Sequence, residues 1–244
     1  MRPGSVILGA LVLASAAANA HPGASGAGRT CDTYNPALYK TGNTYQVVSR
    51  LTEDRGHSFT VKIASKVMGQ ATFHGHDAID IRRHIVDSAA SSAAISSSGD
   101  YFYGIGETVI YIYGYRTHVG GKEYEEYDDP PASFPKRYVI NVPYTATDTE
   151  HFSGHDNSHT LAVQVKSTFL GKQSITVPAG TFVACRMSVQ ASHLSNGPEP
   201  GVVYSWTVAS GALAGLDIKM TNAKPATDPS AYTRVALSVR LNGK

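Results

Sequence analysis

Three histidines at intervals of four, His151, His155 and His159, are the side chains of this sequence best suited by type to hold a metal ion. A regular strand or helix would bring all three imidazoles to one face. Three imidazoles and a water make a zinc set able to activate that water for hydrolysis. Gly154, Asp156 and Asn157 interrupt either regular form, so the same segment also reads as a polar surface loop. His74 and His76, on either side of Gly75, form a second histidine pair at a turn. Nucleophilic chemistry finds little footing. The Gly-x-Ser-x-Gly elbow is absent, and Ser153-Gly154-His155-Asp156 has suitable residue types in a loop without an oxyanion partner. Gly104-Ile105-Gly106 lacks the helix that a phosphate cradle needs. Glu123, Glu125 and Glu126, interleaved with Tyr124 and Tyr127, form an acidic-aromatic run that reads as a solvated loop.

A second kind of chemistry is recognition. Tyr101, Tyr103, Tyr111, Tyr113 and Tyr115 crowd into one segment, and Trp206 stands in another aromatic strand. On the concave face of a curved sheet these rings would bind a lipid or other apolar ligand; packed under loops they would be core. Cys31 and Cys185 are the only cysteines. In an exported chain such a pair is expected to form a disulfide, and closing so long a loop is worth about 5 kcal/mol in the chain-entropy account.

Export is the expected address. Arg2 precedes an apolar run from Val6 to Ala18, and Ala18-Asn19-Ala20 supplies a small-x-small cleavage pattern. Residues 1–20 therefore read as a signal peptide cleaved near Ala20, giving a secreted or periplasmic protein. Residues 21–38 read as a flexible arm and residues 39–244 as a single β domain. The apolar run is too short to span a bilayer, and no other segment reads as transmembrane. With 21 Lys+Arg against 19 Asp+Glu, the charge balance gives no basic patch for nucleic acid.

The elements that must position these residues are strands. Alternation of apolar and polar residues marks strands at 44–52, 59–67, 77–87, 138–142, 160–170, 182–191 and 232–241. In the third, Ile79, Ile81 and Ile85 face inward. Residues 101–115 read as one central strand, with Val109, Tyr111, Tyr113 and Tyr115 on one face and Ile110 and Ile112 on the other. Met68-Gly69-Gln70, Gly171-Lys172 and residues 196–201 read as turns, 130–135 as a proline-rich break, and the Ser/Ala tract 88–99 as a loop or short helix. Pro178-Ala179-Gly180 reads as a three-residue hairpin loop between residues 174–177 and the strand that carries Cys185. The fold class is all-β: a large curved antiparallel sheet, half-barrel or open barrel, of about ten to twelve strands with little helix.

That hairpin, Val177-Pro178-Ala179-Gly180-Thr181-Phe182 with Arg186 beyond it, resembles one found in a family of secreted bacterial β-proteins of uncharacterised function. The aromatic strand Val203-Tyr204-Ser205-Trp206 and the early Tyr39-Lys40-Thr41-Gly42-Asn43-Thr44-Tyr45 segment fit the same pattern. The resemblance implies a curved sheet like that of lipoprotein-carrier half-barrels, and implies no catalytic residue. The expected function is a non-enzymatic exported protein binding an apolar ligand or an envelope partner, without a cofactor. The alternatives are a zinc-assisted hydrolase built on His151, His155 and His159, and an interaction module with no small ligand.

Overall fold

Period-two patterning runs further along this chain than its turn signals suggest. The computed structural model describes residues 28–53, 57–89, 95–119, 122–154, 158–193, 201–222 and 231–243. The leader, His155 and residues 196–200 of the expected turn lie outside these. Two short strands, β1 (Thr30–Asp32) and β8 (Arg137–Val139), pair with each other. The remaining strands are β2 (Thr44–Glu53), β3 (Ser58–Phe73), β4 (His76–Ala89), β5 (Ile95–Ile105), β6 (Val109–Val119), β7 (Lys122–Pro135), β9 (Pro143–Ser153), β10 (His159–Val177), β11 (Gly180–His193), β12 (Val202–Val208), β13 (Asp217–Asn222) and β14 (Tyr232–Leu241). They pair antiparallel in the order β10-β11-β12-β13-β14-β2-β3-β4-β5-β6-β7-β9. Because β9 pairs with both β7 and β10, the sheet has no free edge and closes into a barrel. The all-β class holds, and the curvature goes to completion.

Several expectations about the connections change. Residues 101–115 are not one strand but the hairpin β5–β6, closed where the Gly106 amide donates to the Val109 carbonyl. Residues 122–135, read as an acidic loop and a proline break, are β7. Their polar residues are paired in the ladder, and Pro135, Phe134, Ser133 and Ala132 continue opposite β6. Gly69 and Gly171 do not reverse the chain. Each sits at a register shift within β3 or β10, with φ near +130°, and bends the strand while pairing continues. The Ser/Ala tract passes into β5 at Ile95. Residues 30–38, expected to be a flexible arm, form β1 and a 3₁₀ turn over Pro36–Leu38 capped by Asn35.

That arm is fastened at several points. Cys31 is bonded to Cys185 on β11, with Cα atoms 6.1 Å apart, as the cysteine pair suggests. Arg137 Nε donates to Asp32 at 2.6 Å, and the Asn35 side chain donates to the carbonyls of Ala212 and Ala214. Cys31, Tyr138, Phe169, Cys185 and Met187 pack as one buried cluster. The hairpin loop is Pro178-Ala179, two residues where three were expected, because Gly180 pairs with Val177 as the first residue of β11, and it folds against β12–β14. The Ala179 amide donates to the Ala236 carbonyl, and Val177 and Ala184 pack with Trp206, Val208, Ile218 and Ala236.

Candidate functional site

A closed sheet sends alternate residues of every strand into its lumen, and those residues decide what the lumen is. A cavity of about 200 Å³ lies there. Tyr45 and Val47 from β2, Ile63 and Ser65 from β3, and Ile81 and Arg83 from β4 enter in two-residue steps. Tyr103, Ile110, Ile112, Met187 and Val189 continue the wall. Thr33, Leu38 and Tyr39 of the disulfide-anchored arm also line it. The lining is therefore mainly aliphatic and aromatic, with few polar groups.

Arg83 is the chief exception. Its Nη2 donates to the Tyr103 hydroxyl at 2.5 Å, and its guanidinium lies 4.2 Å from the Tyr101 ring centroid and 5.6 Å from that of Tyr103. Tyr45 and Tyr101 accept further hydrogen bonds from it. Nε is buried without a partner, and among the described residues Arg83 forms no ion pair with a carboxylate. Nor do the phenols supply an anion. Burial pushes Tyr103 up to about 12 and pushes Tyr39 higher still, against the pull of Arg83 on both. Elsewhere in the lining Asp217 and Arg234 share the cavity. Burial raises the Asp217 carboxyl, while the Thr207 hydroxyl, donating at 2.6 Å, and the Arg234 charge offset part of that rise.

The lumen changes character at β7 and β9. Tyr101 pairs with Ile81 and with Tyr115, and Tyr115 pairs with Glu126, so this row faces inward. The Tyr115 hydroxyl donates to Glu126 at 2.5 Å. Asp128 lies two residues beyond Glu126 and directly opposite Glu150, with Asp148 two residues from Glu150. Glu126, Asp128 and Asp148 are buried. Burial raises all four carboxyls, and their neighbours add to this for Asp128, Glu126 and Glu150. Asp128 reaches about 8, Glu150 about 7 and Asp148 about 6.

The expected ligand residues separate onto two faces. Tyr103 borders the cavity, Tyr101 packs beside it under Arg83, and Tyr115 stacks on Tyr101 at 5.4 Å. Tyr111 and Tyr113 point the other way, where Tyr113 stacks on His76 at 4.3 Å. They were expected to share a face with Tyr115. The shift between Ile112 and Gly114 inserts one extra residue in β6, which turns Tyr115 inward. Trp206 is a strand neighbour of the cavity-lining Thr207 and so faces away from the cavity. It packs with Val208 and Ile218, with Lys219 Nζ 4.6 Å from its ring centroid.

The histidines are likewise dispersed. His159 pairs with Phe152, whereas His151 pairs with Thr160, so the two imidazoles lie on opposite faces of the sheet. His151 stacks on Tyr127 at 4.5 Å and His159 on Phe152 at 4.4 Å. His74 stacks on Tyr127 at 4.0 Å and contacts Glu125 Oε1 at 2.9 Å. Among the described residues no three His, Cys, Asp or Glu converge on a metal position.

Arg83 and the four inward carboxyls are the residues that motif reasoning passes over. Arg83 had a signal: it occupies the inward position between Ile81 and Ile85 of an otherwise apolar face. Glu126 and Asp128 had none, because β7 shows no apolar alternation.

No protein-family model matches the chain, and no curated protein matches its sequence. Solved structures with some likeness include a "putative exported protein with YmcC-like fold" from Bacteroides fragilis, with 10% identity, a TM-score of 0.48, and coverage of 82% of this chain and 96% of that one. Another is a "putative lipoprotein" from Parabacteroides distasonis, with 11% identity, a TM-score of 0.47, and coverage of 83% and 96%. A third is a β-barrel-like protein of a domain of unknown function from Brucella abortus, with 8% identity, a TM-score of 0.43, and coverage of 84% and 100%.

Proposed function

We propose that this chain is an exported, non-enzymatic barrel that holds a small apolar ligand in its lumen. The observation that carries the reading is the cavity of about 200 Å³ walled by Tyr45, Val47, Ile63, Ile81, Ile110 and Ile112. Packed interiors leave few voids larger than a water, so an apolar space of this size is a binding site in search of an occupant. It exceeds the roughly 150 Å³ engineered cavity known to take benzene. The outward faces of β2–β4 carry the exposed Arg50, Lys62, Lys66 and Arg82. A membrane-spanning barrel is apolar on its outer face. The leader pattern at residues 1–20 supports export.

Titration with the neutral dye N-phenylnaphthylamine tests the reading without presupposing a charged ligand. Saturable, blue-shifted emission is expected from the wild type. Ile63→Trp, which fills the cavity, should abolish it while the barrel stays folded by circular dichroism. A folded wild type that leaves the dye emission unchanged would overturn the proposal.

A further inference from the structure

Arg83 gives the apolar chamber a polarity, and this inference rests on the ligand reading above. A buried guanidinium stays charged, and removing a charge from water is costly unless an anion or a full set of acceptors replaces the water. Here the acceptors are incomplete. Tyr45, Tyr101 and Tyr103 take hydrogen bonds, the Tyr101 ring lies 4.2 Å away, and Nε has no partner. The other cation lining the cavity, Arg234, acts on Asp217, a lining carboxyl. Arg83 has no such compensation among the described residues, and burial keeps the Tyr39 and Tyr103 phenols protonated. Tyr101 stands between Arg83 and Glu126, under the influence of both groups.

We propose that the lumen takes an acyl chain ending in a carboxylate, with the head group paired to Arg83 and the tail along the aliphatic wall of Val47, Ile63 and Ile81. The planar guanidinium suits a carboxylate, and the Tyr103 hydroxyl, which accepts from Arg83, keeps its own proton to donate to the head. The chain is of medium length. A cavity of about 200 Å³ falls below the roughly 300–1,000 Å³ range of drug-sized pockets, which favours about ten carbons over a long diacyl lipid.

The test is a matched pair, decanoate and decanol, titrated calorimetrically at pH 7.5 into the full mature chain and into Arg83→Gln. The wild type should bind decanoate about tenfold or more tightly than decanol, the worth of one charge-assisted hydrogen bond in a buried site. Arg83→Gln should lose that preference while its decanol affinity stays within about threefold. Should Arg83→Gln fail to fold, the wild-type pH profile serves instead: the acid's preference should vanish once decanoate is protonated, with decanol unaffected. Equal wild-type affinity for acid and alcohol, or an undiminished preference in folded Arg83→Gln, overturns the inference and leaves the apolar-ligand reading intact. A wild type that takes neither compound, nor the neutral dye, overturns both.

Discussion

The wall of β2–β5 and the wall of β7 and β9 belong to one closed sheet, yet they hold opposite chemistries. On the first, Ile63, Ile81 and Tyr103 surround a guanidinium without a carboxylate among the described residues. On the second, Glu126, Asp128, Asp148 and Glu150 crowd together with raised pKa values. Tyr101 and Tyr115, stacked on each other, mark the seam: Tyr101 carries Arg83 over its ring and Tyr115 donates to Glu126. The difference teaches that barrel closure supplies shape only. The identity of each inward residue sets local charge. A cation left without an anion demands a ligand, whereas carboxyls this close answer by keeping protons.

The sharpest way to break the comparison is at the seam. Gly114 adopts φ +137° at the bulge, and an added Cβ there would collide with the Glu126 carbonyl oxygen. Gly114→Val should cost about 3 kcal/mol or more in urea unfolding, because it forces both strain and a shifted register.

The acidic wall predicts a pH dependence. Carboxyls whose folded pKa is raised hold protons that the unfolded chain has released, so their stabilisation is present in acid and lost as pH climbs through about 6 to 8. Stability should therefore fall by several kcal/mol between pH 5 and pH 8.5. Asp128→Asn should recover about 2 kcal/mol of this at pH 8.5 and little at pH 5, as measured by thermal unfolding. A stability that rises across that range would contradict the assignment.

The cationic wall should behave otherwise. Arg83→Met removes a buried charge that lacks an ionic partner, so it should raise stability by about 1 kcal/mol at every pH between 5 and 8.5. Tyr103→Phe is the mildest change. It should reduce the preference for decanoate over decanol by about threefold and leave the pH dependence of stability alone.

Much of this fold is legible in the sequence wherever one strand face is apolar. Strands β2, β3, β4, β11 and β14 announce themselves by alternation, Pro178 marks the hairpin between β10 and β11, and a lone pair of cysteines points to their bond. The bulges are less legible, because Gly69 and Gly171 bend strands with the same residue type that turns use. The bulge at Gly114 has the largest consequence: one inserted residue divides Tyr111 and Tyr113 from Tyr115. β7 is illegible for another reason. Its inward residues are acids, so hydrophobic patterning finds no period, although pairing with β6 and β9 holds it in the barrel. His151 and His159 share an even spacing along the chain, but the register of β9 against β10 puts them on opposite faces. Which inward residues meet across the lumen depends on closure, and closure is a property of the whole sheet.

Native mass spectrometry of the protein, equilibrated with decanoate and compared with Arg83→Gln under the same conditions, tests the central claim most directly. The account predicts a single decanoate retained by the disulfide-bonded wild type and lost from the folded variant. A bare wild-type chain, or equal retention by both proteins, would contradict it.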